Sequence, residues 1–269
     1  MQRLLETVIE AARPQRRRVR FGRGGSVSPR DLAAAKALLR RFRPVTAAAP
    51  LVRLGGDADG GYLVPDDFDG LVAGFSPGVD DKVSFDLDLA ARGIPSFLMD
   101  GSVEGLPVSH PLLRFESAWL GAKTGRDTVS LEDWVQQKVP EQGDLLLQMD
   151  IEGAEYAALA ATPDAMLRRF RMIVIEFHQF HEVFDRRWRA RVMPALEKLE
   201  RHFVPVHLHH NNHAVLWEAQ GMTFPRVFEV TYLRRDRGFE DRVPVLPHPL
   251  DQPNVPEMPD VAVPAFWDV

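Results

Sequence analysis

Two short apolar runs, each ending abruptly in ionisable residues, constrain this chain more than any other feature. Leu145-Leu-Leu-Gln-Met149 breaks into Asp150-Ile-Glu-Gly-Ala-Glu155, and Arg171-Met-Ile-Val-Ile175 breaks into Glu176-Phe-His178. Strand-length runs that are apolar throughout, rather than at alternate positions, belong to strands buried on both faces, as in parallel sheets. In open α/β sheets the chemistry sits beyond the carboxyl ends of such strands. Two of them in succession, with a helix-like segment between, predict an enzyme site on an α/β sheet.

The flanking sequence extends that pattern. Strand-like segments recur at Gly70–Phe75, Pro95–Met99, Leu112–Ala118, Phe203–Leu208 and Val227–Leu233. Helix-like segments lie between them at Asp81–Arg92 (closed by Gly93), Leu131–Gln137 and 183–202, the last with Met193, Leu196 and Leu199 on one face. Alternation of this length predicts a doubly wound, mainly parallel sheet with right-handed crossovers. Ser28 and Pro29 mark the N-cap and first turn of a further helix that runs to about Phe42 and stops at Pro44. The chain therefore divides into a helical and basic N-terminal extension over 1–45, an α/β domain over 46–242, and a tail over 243–269. Within the extension, residues 1–12 read as a short amphipathic helix. The basic stretch Arg13–Arg20 reads as a solvated arm, with phosphate contact as the alternative. The tail carries seven prolines, which forbids a helix or a central strand and predicts extended chain lying against the domain.

Composition narrows the classes. A formal net charge of −5 gives no general attraction to nucleic acid. The absence of cysteine removes disulfides, thiolate metal sites and a thiol nucleophile. No apolar stretch reaches the roughly 18 residues of a membrane-spanning helix, so no membrane insertion is expected. The opening Met1–Glu10 holds two acids and makes a poor secretory signal, so a cytoplasmic protein is expected.

The segment after the first strand suggests a cofactor. Gly74-Phe-Ser-Pro-Gly78 places small residues where a ligand could approach the backbone, and a helix N-terminus follows. The second strand ends at Asp100-Gly-Ser102, about twenty residues on, where an acid commonly holds ribose hydroxyls. Asp80 and Asp81 open the intervening helix and would repel a pyrophosphate. A phosphate-free cofactor with a positive centre, such as S-adenosylmethionine, suits this turn better than NAD or FAD.

These motifs carry a resemblance. Asp150-Ile-Glu-Gly-Ala-Glu155 after an apolar strand, then Ile173-Val-Ile-Glu-Phe-His178, resemble the FkbM family of S-adenosylmethionine-dependent methyltransferases. Ser130-Leu-Glu-Asp-Trp134 resembles the helix before that family's fourth strand. Arg53-Leu-Gly-Gly-Asp-Ala-Asp-Gly-Gly-Tyr62, His207-Leu-His-His-Asn-Asn212 and Phe228-Glu-Val-Thr-Tyr232 are similar to a methyltransferase-like branch of it. The likeness spans about residues 50–235, and Ser76-Pro77 departs from the glycine usual at the first turn. It implies a Rossmann-like class I methyltransferase fold with a seven-stranded sheet and helices on both faces. It further implies that Gly74, Ser76 and Gly78 line the methionine side, that Asp100 binds ribose, and that Gly101 and Ser102 flank the adenosine. A sugar, glycan or secondary-metabolite hydroxyl is the implied acceptor.

Methyl transfer to a hydroxyl needs alignment and relief of the hydroxyl proton by a base or a metal ion. Asp150 and Glu152 share one side if the strand stays extended through them, and Glu176 and His178 alternate onto one face. Those four are the candidate catalytic residues, with His178 the better base because imidazole titrates near neutrality. Glu152 and Glu155 also suit a helix N-terminus with no catalytic role. His207 and His209 point to one face and His210 to the other. Asp150, His178 and His209 are candidate ligands of a divalent metal, although no familiar metal spacing is present. Contact with substrate hydroxyls by His209, Asn211 and Asn212 is the preferred reading. Asp57, Asp59 and Tyr62 lie among four glycines, in a segment expected to loop over the site and touch substrate. A non-catalytic carbohydrate-binding or scaffold protein on the same fold, and a metal-dependent hydrolase, are the competing functions.

Overall fold

The computed structural model describes residues 16–18, 27–213, 216–219, 222–258 and 260–261. The amphipathic helix expected over 1–12 and most of the basic segment after it lie outside these residues. Of that segment, Arg16–Arg18 forms a short strand parallel to Leu216–Ala219.

The helix capped by Ser28 forms as expected: the Ser28 side chain accepts from the Asp31 amide at 3.1 Å, and α1 runs over Pro29–Leu39. It is not a separate extension. Ala35, Leu38, Leu39 and Phe42 are buried in the main core, where Phe42 meets Phe177, Phe180 and Phe228 edge-on. A hairpin follows, β1 (Leu51–Leu54) and β2 (Tyr62–Pro65), paired antiparallel. The segment expected to loop over the site does so over 55–61, and its two ends belong to paired strands. The alternating elements then unfold in order: β3 (Leu71–Pro77), α2 (Ser84–Ala91), β4 (Ser96–Met99), β5 (Leu113–Glu116), α3 (Leu131–Lys138), β6 (Asp144–Met149), α4 (Glu155–Ala161), β7 (Phe170–Phe177), α5 (Arg186–His202), β8 (Phe203–His210) and β9 (Phe228–Arg234).

Seven of these strands form one mixed sheet in the order β8-β9-β7-β6-β3-β4-β5. Pairs β5/β4, β4/β3, β3/β6 and β6/β7 are parallel, whereas β9 runs antiparallel to both β7 and β8. Alternation along the strands separates two faces. Leu145, Leu147 and Met149 of β6, with Ile173, Ile175 and Phe177 of β7, join the cluster containing residues of α1, α3, α4 and α5. Leu146 of β6 and Met172 and Val174 of β7 face the other way, onto Leu54, Tyr62 and Val64 of the hairpin and Phe85 and Leu89 of α2. Helices were expected on both faces. On the second face the hairpin takes the place of a helix over β6, β7 and β9, because its own apolar residues suffice to cover the strands.

That substitution positions the site. Residues continuing the second face beyond Leu146 and Val174 are Gln148, Asp150, Glu176 and His178, and they emerge beneath the hairpin loop. The strand order also reverses between β3 and β6, since β4 and β5 lie on one side and β7 on the other. Chain leaving β3 passes to α2 on one face and chain leaving β6 passes to α4 on the opposite face. This divergence opens the crevice in which α/β sheets bind ligands.

Candidate active site

At the crevice, β3 and β6 touch. Gly78 follows β3 with φ +80°, and its amide donates to the Met99 carbonyl at 2.8 Å. A side-chain carbon there would collide with the Asp150 carbonyl oxygen, so glycine is required both by conformation and by space. The expected turn at 74–78 begins later than anticipated. Gly74 and Ser76 lie inside β3, because Ser76 finds its hydrogen-bond partner within the fold. Its hydroxyl donates to Asp86 Oδ1 at 2.7 Å, fully buried beneath α2. A carbon on Gly74 would come within 2.7 Å of Leu89 of α2. Both residues are occupied by strand–helix packing, and only Gly78 of the three stands at the crevice.

Asp100 lies at the end of β4, as expected, and is held there by its neighbours. Its Oδ1 accepts from the Ser102 amide at 2.7 Å and hydroxyl at 2.6 Å, and its Oδ2 accepts from the Asp80 amide at 2.9 Å. Burial pushes its pKa up, but these donors outweigh burial and hold it below the usual carboxylate range. Gly101 is covered by the half-exposed indole of Trp119. The cleft between these elements, lined by Gly60, Tyr62, Gly78, Asp80, Lys82 and Asp150 among others, measures about 40 Å³. Small-molecule sites span roughly 300–1,000 Å³. The hairpin loop closes this one: Lys82 Nζ meets Asp59 Oδ2 at 2.8 Å across it.

The second part of the site is a buried carboxylate–imidazole cluster. His178, directly after β7, is 6% exposed. Its Nδ1 lies 2.8 Å from Oε1 of Glu155, the fully buried first residue of α4. Its Nε2 faces Asp150 Oδ1 at 3.7 Å, Glu176 Oε2 at 3.6 Å and Glu152 Oε2 at 3.3 Å. The Tyr156 hydroxyl donates to the His178 carbonyl at 2.7 Å, fixing the backbone beneath the ring. Glu176 Oε1 accepts from Asn211 Nδ2 at 2.6 Å. Burial, then the charge of Glu176, raises the pKa of Asp150; burial, then Glu229, raises that of Glu176. Burial draws His178 down, but Glu155 and the other carboxylates overcome it and its pKa is raised.

The four residues expected to be catalytic therefore meet, though Glu152 arrives by another route. The strand stops at Met149, and Glu152 sits in a turn with φ +55° and a side chain 86% exposed. Of the expected substrate contacts, Tyr62 is buried and accepts from Gln148 Nε2 at 3.4 Å, while Asp59 bonds Asn254 as well as Lys82. Asp57 is exposed on the hairpin loop. His209 is engaged by Glu229 at 3.3 Å and Asp260 at 3.5 Å, which raise its pKa to about 10 against the opposing effect of burial. Asn212 bonds the carbonyls of Val255 and Met258 and the amide of Val255, so it pins the tail rather than facing the cluster.

Three contributors stood outside the expected site residues. Glu155 was legible as the last acid of its motif. Glu229 was legible as an acid inside an otherwise apolar strand. Asn254 gave no signal at all: it reaches from the tail to Glu229 Oε1 at 2.6 Å and Asp59 Oδ1 at 3.2 Å.

Residues 104–217 match the family model described as Methyltransferase FkbM domain. Over that segment the chain is similar to FkbM methyltransferases. This is the family that the motifs ending β6 and β7 resemble, and the matched segment includes Asp150, Glu152, Glu155, Glu176 and His178. Gly78 and Asp100 lie before the FkbM match, and Glu229 and Asn254 lie beyond it. No curated protein sequence matches the chain. Among the described residues no helix is long and apolar enough to cross a membrane.

Proposed function

We propose that the chain is an S-adenosylmethionine-dependent O-methyltransferase acting on a hydroxyl of a sugar, glycan or secondary metabolite, on a Rossmann-like class I fold. The observation that carries this reading is the buried Asp150–Glu176–His178 cluster, inside the matched FkbM segment and beside the β3/β6 crevice. The residues suit the cofactor in kind. Gly78 leaves bare backbone where a side chain could not fit, and Asp100 stays ionised to accept from ribose hydroxyls. Gly101 and Ser102, with the Trp119 indole, would flank the adenosine. At about 40 Å³ the cleft is closed, so entry requires the Lys82–Asp59 contact to part and the hairpin loop to lift.

The cofactor supplies a methyl on a sulfonium, whose S–C bond breaks as the acceptor's O–C bond forms, leaving S-adenosylhomocysteine and a methyl ether. The protein's part is to align the acceptor and take its proton. Glu155 holds Nδ1 of His178 and thereby leaves the Nε2 lone pair facing the crevice. Nε2 accepts the hydroxyl proton, and Glu155, Glu176 and Glu152 stabilise the resulting imidazolium. Asp59 and Asn211, at the edge of the cluster, are placed to hold neighbouring hydroxyls.

Calorimetric titration with S-adenosylmethionine, followed by labelled-methyl transfer to a panel of glycans and polyhydroxylated metabolites, tests the reading. Cofactor binding with transfer lost in His178→Ala is expected. Absence of cofactor binding by the native chain would overturn it.

A further inference from the structure

Asp150, Glu176 and His178 are arranged as a ligand set as well as a proton-accepting one. One candidate donor atom from each lies within 4.8 Å of the others. Nε2 of His178 stands 3.7 Å from Asp150 Oδ1 and 3.6 Å from Glu176 Oε2. Donors held roughly 2.1 Å from a tetrahedral divalent ion stand about 3.4 Å apart. Closing by a few tenths of an ångström would bring these atoms to that spacing.

The atoms turned away from this point are already engaged. Nδ1 of His178 is held by Glu155 and Oε1 of Glu176 by Asn211, at 2.8 and 2.6 Å. Metal-ligating imidazoles and carboxylates are characteristically fixed from behind in this way. The atoms turned inward are held less firmly. His178 is more than nine-tenths buried, and its Nε2 faces carboxylate oxygens, Glu152 Oε2 being the nearest at 3.3 Å. Asp150 Oδ1 is buried without a hydrogen-bond partner. A basic lone pair and two carboxyl groups converge here, and a cation binding between them would displace the proton that Asp150 shares with Glu176.

We propose that Asp150, Glu176 and His178 bind one divalent first-row transition-metal ion, against which the acceptor hydroxyl is placed. One imidazole with two carboxylates suits Mn²⁺, Fe²⁺ or Zn²⁺ better than the all-oxygen preferences of Ca²⁺ and Mg²⁺. His209, a ligand candidate from the sequence, is excluded because both its nitrogens face carboxylates elsewhere. The set Asp59, Glu176 and Glu229 is also close enough, but the Asn254 amide already bridges Asp59 and Glu229. The role of the ion rests on the methyltransferase reading; its geometry does not. With Nε2 committed as a ligand, the ion would supply the Lewis acidity that lowers the pKa of the acceptor hydroxyl, and the exposed Glu152 carboxylate at the mouth would take its proton.

Mn²⁺ alone, titrated into the metal-stripped full chain without cofactor and followed by electron paramagnetic resonance, tests this. One equivalent should bind, and pulsed spectra should show nitrogen hyperfine coupling that disappears in His178→Ala. Asp150→Asn and Glu176→Gln should weaken binding tenfold or more, and Asn211→Ala, which leaves all three ligands in place, by a similar factor. Thermal melts of each variant separate loss of the site from loss of the fold. No binding by the native chain, or binding without nitrogen coupling, overturns the proposal. A chain that binds S-adenosylmethionine but no Mn²⁺ loses the metal and keeps His178 as the base.

Discussion

The two halves of the crevice handle polar groups in opposite ways. On the β3/β4 side the groups nearest the crevice find donors or acceptors in neighbouring turns or on the adjacent helix, although Ser96 Oγ, deeper in β4, is buried without a hydrogen-bond partner. Asp100 is satisfied by Ser102 and the Asp80 amide, and Ser76 by Asp86. On the β6/β7 side carboxylates from the ends of two adjacent strands crowd one imidazole, and Asp150 Oδ1 is left without a hydrogen-bond partner. Satisfied groups make a rigid cradle, whereas groups held in mutual repulsion are poised for protons, cations and reacting oxygens. The first half is built to hold a ligand and the second to change one.

The largest effect should come from breaking the second half alone. His178→Ala should lower methyl transfer by about 10²–10⁴-fold, the range for loss of acid–base participation, with cofactor affinity unchanged by calorimetry. Breaking the first half should do the reverse. Asp100→Ala should cost at least about tenfold in cofactor affinity, since hydrogen bonds to charged groups contribute roughly 1.5–3 kcal/mol.

A third prediction concerns stability. Burial raises the pKa of Asp86 from the ordinary carboxylate value of 3.8 to about 7. A raised carboxylate pKa means that the folded state holds the proton more tightly than the unfolded chain. Its contribution is therefore favourable at low pH and is lost as pH rises from about 4 through 7. Asp86→Asn should raise the melting temperature at pH 8, by up to about 4 kcal/mol of stability at 1.36 kcal/mol per unit, and do nothing at pH 4. An equal change at both pH values would contradict the assignment.

How much of this was legible in the sequence follows from the same contrast. β6 and β7 announced themselves because strands buried on both faces must be apolar throughout, and their charged ends stood out against that background. Ser76-Pro77-Gly78 has the composition of a turn, yet β3 runs through Pro77, because the partner that makes a buried serine tolerable is Asp86, on the next helix. No local pattern reports that pairing. The hairpin was hidden by the glycines of its loop, although Leu63 and Val64 carry the strand signal. Asn254 was illegible because a tail residue's contact with Glu229 depends on where the whole tail is laid down. Glu155 was discounted because an acid at a helix start has an ordinary explanation. Here its carboxylate turns away from the helix amides beyond its own turn and onto His178.

Two smaller effects would sharpen the comparison. Glu155→Gln removes the carboxylate that raises the His178 pKa. With His178 as base, activity rises as the imidazole deprotonates, so the acidic limb of the pH–rate profile should move to lower pH. A limb that stays in place would show Glu155 to be structural only. Lys82→Ala cuts the exposed contact that closes the hairpin loop. It should speed cofactor association while changing equilibrium affinity by less than about 1 kcal/mol, as expected for a surface ion pair.

The central claim is that the crevice between β3 and β6 receives S-adenosylmethionine. Calorimetric titration of the native chain and of Asp100→Ala measures it most directly. Saturable one-to-one binding by the native chain, weakened at least tenfold in the variant, is the predicted result. No heat of binding from the native chain, or equal affinity in the two proteins, would contradict it.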